Sequence, residues 1–85
     1  MSNKIQAKKN LELSSRLADF ISENPKIEMD VPANASYVFF SATDTRLNDA
    51  NLKLAKSLVN EGKTVIKAQE LKDKEHPWKF VLFTL

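Results

Sequence analysis

A short run of hydroxyl, carboxyl and amide side chains is the first place where this chain could do chemistry. Ser41, Thr43 and Thr45 flank Asp44, and Asn48 follows closely. If this run joins a parallel strand to a helix, its N–H groups and hydroxyls could hold a small anion. The run has no glycine for close backbone approach, and Asp44 puts negative charge where the anion would sit. The competing interpretation is that Asp44 or Thr45 caps the helix.

The single histidine is the only ordinary candidate for a general base. His76 lies close to Asp73 and Glu75, and either carboxylate could orient it only if the intervening turn were rigid. The three residues lack the spacing of metal ligands, and a chain without cysteine has no thiolate ligand or nucleophile. The sequence therefore predicts no catalytic residue, no metal site and no cofactor, and a protein that is not an enzyme.

Two asparagines fall on apolar helical stripes. Asn10 shares a helical face with Leu13 and Leu17, and Asn51 shares one with Leu54. A buried amide without partners costs about 1–3 kcal/mol. Each asparagine therefore either makes a specific polar contact, to a loop backbone or across a dimer axis, or reaches water from the edge of its stripe. The sequence alone favours water.

Length and composition restrict the class of protein. A chain of 85 residues has room for one core, so we expect residues 1–85 to form a single domain. So short a chain buries only about 60–65% of its unfolded surface, and oligomerisation is a common remedy. The basic N-terminus lacks the apolar run of a signal peptide, and no stretch is long enough to span a membrane. Together with the absence of cysteine, these features predict a cytoplasmic protein.

Helical and strand periodicities divide the chain into five elements. Pro25 ends the first helix, and the only glycine, Gly62, stands where a helix prefers a left-handed residue. Residues 26–35 form a connector. The predicted elements are a helix over Ser2–Glu23, a strand over Ser36–Ser41, a helix over Arg46–Asn60, and strands over Thr64–Ala68 and Trp78–Leu85.

The order of the elements, α-β-α-β-β, indicates the fold class. A strand–helix–strand unit gives a parallel pair with a right-handed crossover, and the last strand returns as an antiparallel hairpin. We therefore expect a two-layer α/β domain, with a small three-stranded mixed sheet and two helices packed on one face. The order of the strands in the sheet stays open.

The strands are apolar on both sides, which is the most informative feature of the sequence. Tyr37 and Phe39 alternate with Val38 and Phe40, and a sheet face in contact with water would carry polar residues instead. We therefore predict a homodimer, packed sheet to sheet or edge to edge through the last strand. The alternative is that the first helix covers the second face of a monomer. The predicted interface residues are Tyr37, Phe39, Lys79, Val81, Phe83 and Leu85.

The first helix is basic at its start, with Lys4, Lys8 and Lys9, but acidic residues are interleaved along both helices. Mixed signs on a helix are typical of a solvated face. A net charge of +2 is also small for a dedicated nucleic-acid protein. Nucleic-acid binding is therefore not favoured.

Helix and turn residues form a pattern over most of the chain. They are Asn10, Leu11, Phe20, Asn24, Pro25, Pro32 and Ala35, then Asp44, Leu47, Asn48, Asn51, Leu54, Ala55, Leu58, Glu61, Gly62 and Lys63 before Val65. The pattern resembles a family of short prokaryotic proteins described only as a domain of unknown function. The resemblance implies a bacterial or archaeal cytoplasmic protein and brings no activity or catalytic residue. The sequence departs from it at Thr64 and in its aromatic last strand, so no shared partner is implied.

These observations predict a non-enzymatic interaction module that self-associates through its sheet, with a second protein as a possible partner. One alternative is a small-ligand or anion-binding domain that uses Ser41, Thr43, Thr45 and Asn48. A second alternative is an antitoxin-like or nucleic-acid-associated regulator that uses the basic first helix.

Overall fold

A computed structural model describes residues 1–25 and 34–85. The predicted connector, residues 26–35, lies almost entirely outside the described residues. The elements are α1 Asn3–Glu23, β1 Ser36–Phe40, α2 Thr45–Asn60, β2 Val65–Glu70 and β3 Trp78–Leu82. The predicted order of elements, α-β-α-β-β, is confirmed, as is the small α/β fold.

Both ends of α2 are set by the residues that the sequence offers. At the start, the Asp44 carboxylate accepts a hydrogen bond from the Leu47 N–H at 3.1 Å, which satisfies one of the free N–H groups of the first turn. At the end, Gly62 adopts a φ of 84°, and its N–H donates to the carbonyl of Val59 at 2.9 Å. A residue with a Cβ atom is strained in this left-handed conformation, so the only glycine stands where the helix must stop.

The first helix, α1, begins one residue later than predicted, because Ser2 serves as its cap. The Ser2 hydroxyl accepts from the Ile5 N–H at 3.2 Å. At the other end, the N–H of Asn24 donates to the Ile21 carbonyl at 3.2 Å, just before Pro25. Leu13 and Leu17 are the buried residues of α1, as expected from its apolar stripe.

The sheet has the strand order β1-β2-β3, with β1 parallel and β3 antiparallel to β2. The mixed pairing is confirmed. The last strand is shorter than predicted, because its partner β2 begins at Val65 and offers nothing beyond that point. The Phe83 N–H makes the final bond, 2.9 Å to the Val65 carbonyl, so Thr84 and Leu85 have no partner on β2.

The register assigns every strand side chain to one of two faces. On the first face, Val38, Phe40 and Val65 form the core with Ala55 of α2, and all four are buried. We call this the helix-covered face. Lys67 also lies on it, with its ammonium 4.7 Å from the centre of the Phe40 ring, where the ring face attracts a cation.

The opposite face, which we call the second face, is buried at its centre and exposed at its rim. Ile66 and Ala68 are buried, whereas Tyr37 is 40% and Leu82 is 56% exposed. The small Ala68 side chain allows aromatic rings of β1 and β3 to meet above it. The open apolar surface is therefore restricted to the rim and to β3, a smaller area than the alternation of the strands suggests.

The two helices pack against each other and contact chiefly β1 and β2. Side chains of α1 reach α2 at one end, through Asn10 and Asn51, and reach β2 at the other, through Arg16 and Glu70. The helix α1 therefore runs from α2 towards the end of β2, and its second half lies near Pro77 and Trp78. Val81 and Leu82, further along β3, are more exposed. Among the described residues, no helix is long and apolar enough to cross a membrane.

Candidate functional site

The loop between β1 and α2 is held together by its own side chains. Ser41 is 6% exposed, and its hydroxyl oxygen accepts from the N–H groups of Thr43 and Asp44, both at 3.1 Å. Asn48 closes the loop: its carbonyl oxygen accepts from the Ser41 N–H at 2.7 Å, and its amide donates to the Ser41 carbonyl at 2.9 Å. The structure therefore brings Ser41 and Asn48 together, while Thr43 and Thr45 are exposed.

Two carboxylates take up further donors around this loop. The Oδ2 atom of Asp44 accepts from Lys9 Nζ at 2.6 Å, and Oε1 of Glu70 accepts from the Ala42 N–H at 3.2 Å. The hydrogen bond from Lys9, followed by that from the Leu47 N–H, holds the pKa of Asp44 below its usual range. An incoming anion would have to displace these carboxylates, so the geometry supports the capping role of Asp44 over anion binding.

Asn51 is the centre of a buried amide cluster that links both helices to β1. Its side chain is fully buried. The Nδ2 atom donates to Asn10 Oδ1 and to the Phe39 carbonyl, both at 2.7 Å. The Oδ1 atom accepts from Asn10 Nδ2 at 3.1 Å and from Gln6 Nε2 at 2.9 Å. All four hydrogen-bonding positions of the Asn51 amide are therefore used.

This cluster corrects the preferred interpretation of the two asparagines. The sequence favoured side chains that reach water, but Asn51 and Asn10 bond to each other, and Asn51 also bonds to the backbone of Phe39. The reason is that Asn51 faces an edge strand, whose outward carbonyls need donors when they are buried. The signal was present in the sequence, because both asparagines occupy helix faces that are otherwise apolar.

This amide cluster occupies part of the outer edge of β1. The Ser36 N–H donates to the Thr64 carbonyl at 2.8 Å, so alternate residues from Ser36 bond to β2 while Tyr37 and Phe39 direct their backbone groups outwards. Asn51 occupies the Phe39 carbonyl, and α1 lies beyond it. A second strand could not pair with the Phe39 carbonyl without displacing this amide.

The outer edge of β3 is different. The Phe83 N–H donates to the Val65 carbonyl, and the Leu71 N–H donates to the Pro77 carbonyl at 2.7 Å. Odd-numbered residues of β3 therefore bond to β2, and alternate residues direct their N–H and C=O groups away from the sheet. These outward residues are Trp78, Phe80 and Leu82. Within residues 1–25 and 34–85, nothing pairs with them. We call these three the β3 edge.

The side chains around the β3 edge are apolar on both faces. Val81, on the helix-covered face, is 43% exposed, and Leu82, on the second face, is 56% exposed. Phe80 and Trp78 are held in place by β1, since their ring centres lie 6.5 Å from Tyr37 and 6.2 Å from Phe39. The rings of β3 are therefore packed against β1, while its outward backbone groups have no partner among the described residues.

The predicted interface residues do not form one patch. Tyr37 and Phe39 lie on the second face, whereas Lys79, Val81 and Phe83 lie on the helix-covered face. Phe83 packs against the core. Leu85, beyond the end of β3, is 70% exposed. The sequence did not predict that Trp78, Phe80 and Leu82 direct their backbone N–H and C=O groups outwards. The direction of these groups follows from the pairing register and not from residue type.

A groove of about 770 Å³ opens between the N-terminal halves of α1 and α2. Gln6 and Asn10 contribute polar groups to it, and Arg46, Asp49 and Lys53 line it from α2. The three charged residues follow one another at spacings of three and four, which places opposite signs side by side on the helix. The charged residues of the groove are thus two cations and one carboxylate, and they do not by themselves identify a ligand.

The histidine lies in a solvent-exposed turn. The Asp73 carboxylate accepts from the N–H groups of Glu75 at 2.9 Å and His76 at 3.3 Å, and these two bonds lower the pKa of Asp73. The His76 side chain is 79% exposed. Over the described ranges, no three histidine, aspartate or glutamate side chains gather as metal ligands would. The Asp73 contacts are those of a turn.

Comparison with protein-family models identifies a family for this chain. A family model with the description "Family of unknown function (DUF5647)" matches residues 5–78. The match includes both helices and the first two strands, and it ends at the first residue of β3. No curated protein and no solved structure matches the chain significantly.

Proposed function

The chain belongs to this family of unknown function, DUF5647, and we propose that it is a non-enzymatic interaction module that self-associates through its β-sheet. The observation that carries the proposal is the β3 edge, with the outward N–H and C=O groups of Trp78, Phe80 and Leu82. Most of β3 lies beyond residue 78, where the family match ends. The proposal therefore concerns this chain and is not extended to its family.

An open strand edge is a template for a further strand, and proteins that stay monomeric usually protect such edges. Protection comes from proline, from charges, from bulges or from a covering loop. The strand β3 contains no proline, since Pro77 precedes it, and its only charged residue is Lys79. The pairing of β3 with β2 runs without a bulge from Trp78 to Leu82. These features favour addition of a strand.

Apolar exposure at the same place provides a driving force. Val81 and Leu82 project from opposite faces of β3, and Leu85 follows them. If a second copy covers roughly 300 Å² of this surface, the hydrophobic gain is about 7 kcal/mol before the cost of association. Edge pairing covers side chains on both faces of β3, whereas stacking of sheets would cover only one face. The proposal is therefore edge-to-edge association.

The contrast between the two sheet edges supports a closed dimer. An open edge on both sides would allow one copy after another to add, which produces filaments. Here the Phe39 carbonyl on the β1 edge is already bonded to Asn51, whereas none of the outward groups of the β3 edge has a partner among the described residues. Two β3 edges related by a two-fold axis satisfy each other and leave none for a third copy.

The polar side chains that could do chemistry support a non-enzymatic role. Ser41 and Asn48 are engaged with each other and with the loop backbone, and His76 stands in an exposed turn. We do not propose anion binding by the loop, since the N–H groups of residues 41–44 already have acceptors. A cytoplasmic location belongs to the same proposal and is supported by a sequence without cysteine.

Hydrogen exchange measured at several protein concentrations tests the proposal at the atoms concerned. In a monomer, the outward N–H groups of Trp78, Phe80 and Leu82 exchange rapidly, while the inward N–H of Val81 is protected by β2. On self-association, the three outward groups become protected and the protection increases with concentration. Rapid exchange of all three at every concentration, with Val81 protected, would reject association through this edge.

A further inference from the structure

We infer that the two copies pair β3 with β3 in antiparallel orientation, with the two-fold axis passing between Phe80 and the partner's Phe80. This inference rests on the proposed self-association and adds the register. In that register Trp78 stands opposite the partner's Leu82, and Lys79 stands opposite the partner's Val81.

The direction of the backbone groups restricts the possible registers. In an antiparallel pair, residues that exchange hydrogen bonds alternate with residues that do not. Only Trp78, Phe80 and Leu82 direct these groups outwards within β3. Centring the pair on Phe80 sets each of the three opposite another outward residue, so that every outward N–H and C=O of the strand finds a partner.

The neighbouring registers either pair Trp78 with a residue beyond the end of β3 or set like charges opposite each other. A pair centred on Val81 sets Trp78 opposite the partner's Thr84, which lies beyond the end of β3. A pair centred on Lys79 sets this ammonium opposite its own copy, and directly opposed like charges are destabilising. In the Phe80 register, the two Lys79 side chains are separated diagonally, and each faces the exposed Val81 of the other copy.

The side chains on the second face favour the same register. Phe80 already contacts Tyr37 through a tilted ring pair at 6.5 Å, so pairing of the two Phe80 rings extends one aromatic row across both sheets. Leu82, which is 56% exposed, then packs against the partner's Trp78. Cross-strand aromatic and aliphatic pairs of this kind stabilise antiparallel sheets.

Disulfide trapping tests the register, because the natural chain has no cysteine. Two full-length variants, Lys79→Cys and Val81→Cys, are made with tags of different size, mixed under reducing conditions and then oxidised. Positions 79 and 81 form a pair that exchanges no hydrogen bonds, where opposed Cβ atoms approach closely enough for a disulfide. Both substitutions lie on exposed side chains, and circular dichroism checks that the variants fold.

The Phe80 register predicts that the mixed product, residue 79 to residue 81, forms several-fold faster than either homodimer. Random collision would give the mixed product at only twice the rate of each homodimer. Faster trapping of Val81→Cys with itself would assign the axis to Val81, and faster trapping of Lys79→Cys with itself would assign it to Lys79. Either result overturns the register and leaves the edge-to-edge proposal standing.

Sedimentation under reducing conditions tests self-association independently of the β3–β3 register. If the wild-type chain is dimeric but no pair of cysteines is trapped above random collision, the β3–β3 register is wrong. If the wild-type chain and both variants sediment as monomers at all concentrations, the register and the proposed self-association fail together.

Discussion

The side chains of Asn10 and Asn51 exchange two hydrogen bonds, of 3.1 and 2.7 Å, between α1 and α2. Asn51 also donates to the Phe39 carbonyl at 2.7 Å. One buried amide therefore links two helices and the outer edge of β1. This contact occupies a backbone carbonyl of the β1 edge, whereas the outward groups of β3 have no such partner among the described residues.

Removal of the Asn51 amide is expected to be strongly destabilising. The change Asn51→Ala leaves the Phe39 carbonyl and the Asn10 amide without this partner and creates a cavity at a fully buried site. We expect a loss of about 2–4 kcal/mol in the free energy of unfolding, measured by urea denaturation. Asn60→Ala, at an exposed position of the same helix, is the control and should change stability by less than about 0.5 kcal/mol.

A double-mutant cycle with Asn10→Ala measures the link between the helices. Because the two amides bond to each other twice, their effects should fail to add by about 1 kcal/mol or more. Additive effects, or a loss similar to that of the Asn60→Ala control, would contradict the role assigned to the cluster.

The fold follows from local signals in the sequence, and the amide cluster does not. Pro25, Gly62 and the carboxylate of Asp44 mark the ends of the helices, and aromatic and β-branched runs mark the strands. These are short-range effects, which one sequence displays directly. The partner of Asn51 is Asn10, 41 positions away, and periodicity indicates only that each asparagine lies on an apolar face.

Acid should weaken the start of α2. Since the Lys9 ammonium and the Leu47 N–H lower the pKa of Asp44 in the folded chain, the ionised carboxylate stabilises the fold above the unfolded pKa near 3.8. This contribution is lost as the pH falls through the folded pKa. Between about pH 5 and pH 2, the wild-type chain should therefore lose stability more steeply than Asp44→Asn.

Asp73 also contributes to the loss of stability in acid, because the N–H groups of Glu75 and His76 lower its pKa in the folded chain. The pH test therefore needs a variant at this position as a comparison. Asp73→Asn therefore serves as the matched variant, which keeps the Lys9–Asp44 contact. Equal acid slopes for the wild-type chain and Asp44→Asn, measured by urea denaturation at each pH, would show that Asp44 makes no such contribution.

The loop after β1 is expected to act as a cap and not as an anion site. Ser41→Ala removes the acceptor of the Thr43 and Asp44 N–H groups and should cost about 1–3 kcal/mol of stability. Ser57→Ala, at an exposed position on α2, is the control. In the wild-type chain, titration with inorganic phosphate should leave the amide NMR signals of residues 43–48 unchanged. Saturable shifts confined to these residues would contradict this prediction and support an anion site in the loop.

The substitution Leu82→Pro should weaken self-association while the chain remains folded. The Leu82 N–H points away from β2, so Leu82→Pro removes no hydrogen bond within the sheet, and proline is tolerated on a free edge. The variant should remain folded by circular dichroism and raise the dissociation constant of the dimer at least about tenfold. Leu82→Ala keeps the N–H and should weaken the dimer less. A proline variant that dimerises as tightly as the wild-type chain would exclude this edge.

The candidate interface could be predicted only in part from the sequence. Alternation showed that β3 is apolar on both sides, which the exposed fractions of Val81 and Leu82 bear out. It did not show that Tyr37 and Val81 lie on opposite faces, because this depends on the register of three strands. The burial of Ile66 and Ala68 likewise depends on packing across the sheet, which a local sequence pattern does not indicate.

Sedimentation equilibrium of the unmodified chain at micromolar concentration is the most direct test of self-association. We expect a mass that rises with concentration from that of one copy, 9.6 kDa, to that of two copies and no further. A single species with the mass of one copy across the whole range would contradict the account, whatever the exposure of the last strand.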